Sequence, residues 1–226
     1  ERVRRDFVAN ASHELKTPLT AVRGFAEALL EEEPPEALRR QFLGSIRDNT
    51  LRLQHLVDDL LDLSRLESGA WSPEREELSV ADVATEVWEE LPDEPKRRSI
   101  RFEVAGDAEL EADRRALSQI FRNLFENAVR HTEEGGRVGV EIRERGGRIR
   151  VAVSDDGSGI PSSALPRVFE RFFRADPARD RGAGGSGLGL AIVRHLVSTM
   201  GGSVRAESVL GEGTTIRFAF PRDPSR

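Results

Sequence analysis

A helical spacing of apolar residues, cut short by two adjacent prolines, is the feature that most constrains how this chain folds. Apolar side chains recur in steps of three and four, the period of an α-helix, at positions 3, 7, 11, 15, 19, 22, 26 and 29. Pro34 and Pro35 cannot continue that helix. A second run with the same steps extends from Leu38 to Leu63 and is typical of a coiled-coil seam. The pattern predicts two long helices that form an antiparallel hairpin.

This hairpin has more apolar surface than one partner helix can cover. Leu56 and Val57 are adjacent, as are Leu60 and Leu61, so at least two faces of the second helix need a neighbour. Two hairpins that pack as a four-helix bundle supply that cover. We therefore expect a homodimer through residues 1–69.

The remainder of the chain changes from helical periodicity to short alternating runs. In two segments, 137–155 and 202–220, apolar and polar residues alternate on both sides of a glycine-containing turn. This pattern predicts a β-hairpin in each segment. Shorter strands are expected at 99–104 and 108–112, and helices at 113–131 and near 187–200. Helices with a mixed or antiparallel sheet indicate an α+β layer. The predicted organisation is a hairpin at 1–69, a linker at 70–77, a domain at 78–221 and a tail at 222–226.

Composition excludes several classes of function. The net charge of −6 argues against a nucleic-acid partner, and the absence of cysteine excludes disulfides and thiolate metal sites. No apolar run approaches the roughly 18 residues that cross a bilayer, so we expect no direct membrane contact. The chain starts at Glu1 with its helical pattern already under way, and we expect it to be part of a longer protein.

The stretch NASHELKTPLT places an ionisable side chain one turn before a helix breaker. Pro18 has no N–H for the carbonyl of Glu14, so it predicts a bend and pushes Thr17 from α geometry. If the Glu14 carboxylate accepts from Nδ1 of His13, the tautomer leaves a lone pair on Nε2, which is then a nucleophile. The alternative is an ordinary surface histidine beside a tolerated kink.

The stretch DDGSGIP, at 155–161, follows a predicted strand. Asp155 at the end of the strand can accept hydrogen bonds from an amino group. Gly157 and Gly159 allow the backbone to approach a ligand closely. A plain glycine-rich turn is the alternative, and this segment alone favours it.

The stretch GAGGSGLGLAIV, at 182–193, leads directly into an apolar helix. The N–H groups at a helix N-terminus favour phosphate, and Gly187 and Gly189 keep side chains away from them. The stretch is neither a P-loop nor a dinucleotide fingerprint, because no Lys-Ser/Thr and no leading strand accompany it. The alternative is a flexible linker.

The stretch QIFRNLFENAVRHT puts two amides on one helical face. Asn123 and Asn127 are four residues apart, although asparagine is a mediocre helix former. An amide oxygen suits Mg²⁺ that is held mainly by phosphates, and Arg130 and His131 can contact phosphate oxygens. Two solvated surface asparagines are an equal alternative when this segment stands alone.

Six motifs in one order give the chain a specific resemblance. It resembles the cytoplasmic core of a bacterial two-component sensor histidine kinase over residues 1–221. The matching motifs are the phosphoacceptor box SHELKTPL, the asparagine box NLFENAVRHT, the first glycine box DDGSGIP, the phenylalanine box VFERFFR, the second glycine box GGSGLGLAIV and the last glycine box GEGTT.

The resemblance implies a fold and an activity. The fold is an all-α hairpin that forms a dimeric four-helix bundle, followed by an α+β sandwich of the GHKL (Bergerat) ATPase type. The activity is autophosphorylation of His13 from ATP with Mg²⁺, transfer to an aspartate of a response regulator receiver domain, and dephosphorylation of that regulator. The parent protein is expected to be a membrane-anchored sensor with this portion in the cytoplasm.

The resemblance also assigns residues. His13 is the phosphorylated residue, Glu14 orients or deprotonates it, Thr17 positions water for dephosphorylation, and Asn127 is the Mg²⁺ ligand. Asp155 reads the adenine amino group, and residues 174–186 form a lid over ATP. The full set implied to bind ATP is Asn123, Asn127, Arg130, His131, Asp155, Gly157, Gly159, Arg171, Arg174, Gly185, Gly187, Leu188, Gly189 and Thr214.

Two segments depart from the family pattern at three positions, and two other functions compete. Members often carry Lys-Tyr in place of Arg130-His131, and Asn in place of Asp156, which leaves any contact of Asp156 open. The competing functions are a GHKL ATPase that drives a conformational cycle and a dimerisation module without activity. The His13–Pro18 element argues against the first, and Asn127 with Asp155 argues against the second.

Overall fold

The computed structural model describes residues 2–31, 34–68, 71–91, 99–175 and 185–222. The chain divides into two compact units, residues 1–64 and 65–226. Each unit has its own architecture.

The first unit is a pair of long helices, as predicted. Helix α1 spans Arg2–Glu31 and α2 spans Glu36–Glu67, and the last three residues of α2 belong to the second unit. Phe25 contacts Phe42 with ring centroids 5.3 Å apart, and Glu14 lies 3.8 Å from Arg52. From the first contact to the second, the α1 residue lies nearer the N-terminus of its helix and the α2 residue lies nearer the C-terminus of its helix. The two helices are therefore antiparallel.

Helix α1 continues through Pro18, and this corrects one expectation. Thr17 was expected to leave α geometry, yet both residues lie inside the uninterrupted helix Arg2–Glu31. The Thr17 hydroxyl donates to the carbonyl of His13 at 3.3 Å, and the Pro18 side chain is buried. Burial of the ring favours the helix, and this tertiary contribution outweighs the local preference of a residue before proline.

The second unit alternates strands and helices. In chain order its elements are β1 (Arg75–Ser79), α3 (Val80–Glu90), β2 (Arg101–Ala105), β3 (Glu109–Asp113), α4 (Arg114–His131), β4 (Arg137–Arg145), β5 (Arg148–Asp155), a 3₁₀ turn (Leu165–Arg167), α5 (Gly189–Thr199), β6 (Ser203–Val209) and β7 (Gly213–Pro221). Both predicted hairpins and the helix at 113–131 are confirmed.

Five strands form one mixed sheet in the order β2-β4-β5-β7-β6. Strands β2 and β4 are parallel, and the other neighbours are antiparallel. A two-residue turn joins β4 to β5, and its glycines, Gly146 and Gly147, have φ values of 64° and 66°. Positive φ at both positions matches the right-handed twist of a hairpin, so glycine is the residue of choice there.

The core lies between the large sheet and three helices. Alternate residues of each strand are buried, among them Val140, Ile142, Val151 and Phe218. Helix α4 contacts β4 and β5 on this face and packs between α3 and α5. Because side chains alternate across a strand, the polar residues between these positions point to the opposite face.

Strands β1 and β3 form a separate two-stranded sheet beside α3 and α4. Strand β1 begins at Arg75, inside the range 70–77 given above as a linker. Asp113 caps α4: its Oδ1 accepts from the N–H of Ala116 at 2.9 Å, and its Oδ2 accepts from Glu74 N–H at 2.9 Å. One carboxylate therefore fixes both the start of α4 and the approach to β1.

Candidate functional site

His13 lies on the surface of α1 with its side chain 80% exposed. Its Nδ1 is 4.0 Å from Oε1 of Glu14, which is beyond hydrogen-bond distance. The other Glu14 oxygen lies 3.8 Å from a guanidinium nitrogen of Arg52 in α2. The Glu14 carboxylate thus stands between an imidazole and a guanidinium, and a small side-chain movement brings it to His13.

Helix α4 carries the predicted amides on a half-buried face. Asn123 and Asn127 are one turn apart, and the Asn123 amide nitrogen donates to the carbonyl of Gln119 at 3.0 Å. The opposite face of α4 is buried in the core, including Phe121 and Phe125. This division lets one helix anchor the domain and present polar groups at the same time.

The glycine segment before α5 lies directly against that polar face. A Cβ at Gly189 would lie 2.9 Å from Oδ1 of Asn123, and a Cβ at Gly185 would lie 2.9 Å from a guanidinium nitrogen of Arg130. A larger residue at either position would displace the neighbouring side chain, so glycine favours this close approach. The structure brings together residues that are more than 50 positions apart in the sequence.

Asp155 ends β5 and points its carboxylate at two backbone N–H groups. Burial raises the pKa of this carboxyl to about 6, while hydrogen bonds from the N–H groups of Gly157 and Thr214 act in the lowering direction. The Gly157 N–H lies 3.0 Å from Oδ1. A largely buried carboxylate at a strand end can accept from a ligand amino group with little competition from water.

The first glycine box is tied to the end of α4. The N–H of Ser158 donates to the carbonyl of His131 at 3.1 Å, and a Cβ at Gly157 would lie 2.4 Å from that same oxygen. His131 is half-buried at the last position of the helix. The predicted residues His131, Asp155 and Gly157 therefore form one neighbourhood.

The β6–β7 turn forms the other side of that neighbourhood. Thr214 is buried and pairs with Asp155 across the sheet. Its hydroxyl is 3.0 Å from that of Ser208, which also donates to the carbonyl of Gly213 and accepts from the N–H of Ile160. Sequence reasoning missed Ser208, because nothing in the local pattern marks a serine that bridges three segments.

Gly159 and Gly213 are fixed by contacts that no other residue tolerates. Gly159 has φ +66°, and its Cβ would lie 2.1 Å from the carbonyl oxygen of Val209. Gly213 has φ +120°, and its Cβ would lie 2.0 Å from the carbonyl oxygen of Asp155. Gly213 belongs to the last glycine box GEGTT and opens β7 beside the half-buried Asp155, although no role of its own was assigned to it from the sequence.

The segment that includes the phenylalanine box is hydrogen-bonded to the second glycine box. The N–H of Phe172 donates to the carbonyl of Gly187 at 2.8 Å, and Phe172 itself has a positive φ of 59°. Arg174 donates to the carbonyl of Gly185. A non-glycine residue in this conformation is strained, and such strain concentrates at functional sites.

Of the remaining predicted residues, Leu188 lies within this site and Arg171 lies at its border. Leu188 is fully buried at the start of α5, with its N–H bonded to the Ser186 hydroxyl at 3.1 Å. Arg171 pairs with Glu67, a residue of the same compact unit. Of the predicted lid 174–186, residues 176–184 lie outside the described residues, as do Gly69, Ala70 and 223–226.

Two further residues acquire a role from the structure. Asp156, left open by the sequence, accepts the N–H of Arg137 at 2.8 Å and so fixes the start of β4. Arg52 had no sequence signal, because 38 positions separate it from Glu14 and only the hairpin brings them together.

The fold and this cluster define a class of protein. An amide-bearing helix, a half-buried aspartate at a strand end and a glycine segment at a helix N-terminus, on a mixed sheet, are the features of a GHKL-type ATPase domain. Here this domain is preceded by a helical hairpin with an exposed histidine.

The comparisons with known proteins agree. The chain belongs to the histidine kinase-, DNA gyrase B-, and HSP90-like ATPase family, whose model matches residues 112–224. Residues 3–69 match the His Kinase A (phospho-acceptor) domain. The resemblance to a sensor histidine kinase core and the expected fold are thereby confirmed.

Curated relatives match along nearly the whole chain. The sensor histidine kinase WalK of Bacillus subtilis (strain 168) is 37% identical over 226 residues, which are 98% of this chain and 37% of WalK. This chain thus spans well under two thirds of that relative's length.

Solved structures show the same architecture. Histidine kinase ThkA, in a complex with response regulator protein TrrA, has a TM-score of 0.79 and 25% identity over 98% of this chain and 62% of that one. Full-length ShkA in complex with AMPPNP has a TM-score of 0.69 and 30% identity over 97% of this chain and 47% of that one. Among the described residues, no helix is long and apolar enough to cross a bilayer.

Proposed function

We propose that this chain is the catalytic portion of a protein-histidine kinase that transfers the γ-phosphoryl group of ATP to His13 and then to an aspartate of a response regulator. The observation that carries the proposal is the convergence of Asn123, Asp155 and the glycine segment 185–189 in one compact unit, in a chain that also presents His13 on an exposed helix. The family and its kinase relatives support this reading.

The nucleotide site uses the two ends of this cluster differently. Asp155 accepts the amino group of adenine, because its carboxylate is largely buried and already oriented by the Gly157 N–H. The first turn of α5, which starts at Gly189, directs N–H groups at the phosphates. Arg130, against Gly185, adds positive charge on the same side.

Mg²⁺ fits the donor chemistry of this site. Among the described residues there is no cluster of three His, Cys, Asp or Glu side chains that could hold a metal, so an ion here would rely on substrate phosphates with the neutral amide oxygen of Asn127. When bound, the ion neutralises charge on the transferred phosphoryl group. Asn127 lies on the same half-buried face as Asn123, where it can present that oxygen.

The transfer step requires a neutral His13. The Nε2 lone pair forms a bond to the γ-phosphorus while the bond from that phosphorus to the β,γ-bridging oxygen breaks, and the electron pair leaves with ADP. The proton on Nδ1 passes to Glu14 once the 4.0 Å separation has closed. Arg52 orients the carboxylate for this movement, and catalysis comes mostly from positioning.

Transfer of the phosphoryl group to the regulator and dephosphorylation of the regulator use the same surface of the hairpin, around His13. ThkA is described in a complex with a response regulator, and we extend that partner class to this chain. Thr17 lies one turn from His13, where its hydroxyl can orient water for dephosphorylation of the regulator. We also propose, from the family resemblance alone, that this chain is the cytoplasmic portion of a membrane-anchored sensor.

The homodimer is part of the proposal because the hairpin exposes a great deal of apolar surface. In residues 7–30 and 36–67, where the structure describes the side chains of α1 and α2, eight large hydrophobic side chains are exposed: Val8, Leu19, Leu30, Leu38, Leu43, Leu51, Val57 and Leu61. Those of α1 are spaced by 11 residues, which is three turns of a helix, so they form one stripe. A second hairpin would cover such a stripe.

The nucleophile is tested by His13→Gln, with His55→Gln as the matched control. Both histidines are exposed on the hairpin, so both substitutions have the same effect on solubility and helix propensity. We expect His13→Gln to abolish incorporation of ³²P from labelled ATP and His55→Gln to retain it. The label should be lost in acid, because protonation of a phosphoramidate nitrogen releases the phosphoryl group. Retained, acid-stable label in His13→Gln would refute the proposal.

The nucleotide site is tested separately by Asn127→Ala. We expect this variant to lose Mg²⁺-dependent binding of a non-hydrolysable ATP analogue, measured by calorimetry, while its melting temperature without nucleotide stays close to wild type. Equal affinity in both proteins would remove Asn127 from the site. ATP turnover without any label on His13 would instead support a GHKL ATPase of another class.

A further inference from the structure

A groove of about 450 Å³ lies on the sheet face opposite the helices. Its floor is made of small side chains, Ala152, Ala219 and Ser203. Its walls carry six arginines and one carboxylate, that of Glu141; the arginines are Arg143, Arg145, Arg148, Arg150, Arg205 and Arg217. The chain as a whole has a net charge of −6, so the positive charge of this groove is opposite in sign to that of the whole chain.

The arginines are placed opposite one another on neighbouring strands. The sheet registers pair Arg143 with Arg150 and Arg145 with Arg148 across β4 and β5. The third pair is Arg205 with Arg217 across β6 and β7. Directly opposed like charges destabilise a sheet, and three such pairs beside one groove require a compensating benefit.

Internal carboxylates neutralise part of this charge. Arg205 and Arg217 share Glu207 at 3.0 and 2.8 Å, and Arg143 pairs with Glu141. In the part of the chain that the structure describes, Arg145 and Arg150 form no ion pair. Their guanidinium groups are donors in a fixed planar fork, a geometry that matches phosphate.

The geometry points to a second ligand site in this groove, for a compact anion that carries at least two phosphate groups. The volume falls in the range of small-molecule sites. A protein partner would need a large apolar anchor and a pocket that accepts it. The groove offers little for such an anchor, because Val151 and Phe218 are buried towards the core and Val204 is half-buried, which leaves the alanines as its apolar floor.

This site is distinct from the nucleotide site. Arg150 precedes Asp155 by five residues on β5, which is about 16 Å along a strand. Arg148 lies further still from Asp155, at the start of β5, where it donates to the carbonyl of Ala219. A ligand can therefore occupy the groove while a nucleotide occupies the other end of the sheet.

The test is a calorimetric titration of inorganic tripolyphosphate into the whole chain with ADP in excess, so that the nucleotide site is not available. The test variant is Arg145→Gln/Arg150→Gln, which removes two positive charges without breaking an ion pair among the described residues. The matched control is Arg101→Gln/Arg115→Gln, two exposed arginines that do not line the groove.

We expect one equivalent to bind to wild type and to the control, and the affinity of the test variant to fall by about tenfold or more, since two charge-assisted hydrogen bonds are lost. The melting temperature of the test variant without ligand should equal or exceed that of wild type, because like-charge repulsion is relieved.

Absence of binding to wild type, or equal losses in both variants, would overturn the site. Binding of an acidic peptide or of anionic lipid vesicles in place of tripolyphosphate would show a macromolecular partner and overturn it as well. If ADP itself fails to bind, the proposed kinase function is in question, but the comparison of the two variants with tripolyphosphate still decides this inference.

Discussion

The ionised carboxylate of Asp155 lowers the stability of the folded chain at neutral pH. Burial raises the pKa of its carboxyl from 3.8 to about 6, so the unfolded chain ionises this group more readily than the folded chain does. A raised carboxyl pKa favours the folded state below the unfolded value and disfavours it as pH rises through 6. At neutral pH the penalty is on the order of 3 kcal/mol, from 1.36 kcal/mol per pKa unit.

We expect Asp155→Asn to raise the free energy of unfolding at pH 7.5, by up to about 3 kcal/mol, because it removes a buried charge but keeps an oxygen for the Gly157 N–H. The gain should shrink as pH falls from 7 to 4. Urea unfolding at several pH values measures it, and Glu111→Gln is the control, since that carboxylate is exposed on the separate two-stranded sheet. A gain independent of pH would show that the carboxyl is not titrating as described.

The same carboxyl predicts how nucleotide affinity depends on pH. Only the ionised form accepts from the adenine amino group with both oxygens, and at pH 5 about a tenth of a group with pKa 6 is ionised. We expect the dissociation constant of ADP to rise several-fold between pH 7.5 and 5, and this rise should be absent in Asp155→Asn, which binds weakly throughout. Equal pH profiles for the two proteins would remove Asp155 from adenine recognition.

At the level of elements, the amino-acid pattern predicted most helices and both hairpins because their signals are long or repeated. Helices α1, α2 and α4 each span four turns or more, and Gly146-Gly147 marks a two-residue turn. Strand β1 was missed since it has five residues and only one of them is buried.

Helix α3 was missed although a signal was present. Val80, Val83, Ala84 and Val87 have helical spacing and are buried, and Ser79 caps the helix by accepting from Asp82 N–H. The candidate site likewise contains residues that the sequence predicted and residues that it missed. Its glycines and amides stand out in local motifs, whereas Arg52 and Ser208 take part only because folding brings distant segments together.

The capping of α4 gives a prediction for this element. Asp113 is buried and accepts from two N–H groups, those of Ala116 and Glu74. We expect Asp113→Ala to cost about 1.5–2.5 kcal/mol, the sum of a lost cap of about 1 and a second lost hydrogen bond of about 0.5–1.5. Ser79→Ala removes the cap of α3 and a hydrogen bond to Asp107 at an exposed edge, and it should cost about 1 kcal/mol.

Chemical unfolding of the two variants checks this difference. Asp113→Asn should fall between wild type and Asp113→Ala, because the amide keeps one acceptor oxygen for the cap but directs NH₂ at Glu74. Wild-type stability in Asp113→Asn would mean that the bond to the Glu74 N–H adds nothing.

At the scale of the whole molecule, the two units differ in how they are stabilised. Most of the large buried side chains lie in residues 65–226, including Phe121, Phe125, Phe218 and Phe220. In residues 7–30 and 34–64, whose side chains the structure describes, only Pro18, Leu56 and Leu63 are buried, and many leucines are exposed. We therefore expect the first unit to depend on a second copy of the chain for its stability, as proposed above, and the second unit to be stable without one.

This difference predicts two thermal transitions with unlike concentration dependence. Association stabilises by mass action, so the transition of the hairpin should move to higher temperature as protein concentration increases about a hundredfold, while that of the ATPase domain stays fixed. Val57→Gln/Leu61→Gln should lower the temperature of the hairpin transition and weaken its dependence on protein concentration, because these exposed side chains lie one turn apart on α2. Leu210→Gln, at an equally exposed leucine of the second unit, should change neither. A single transition that is independent of concentration would show that one copy of the hairpin is stable alone, and the exposed leucines would then need a different partner.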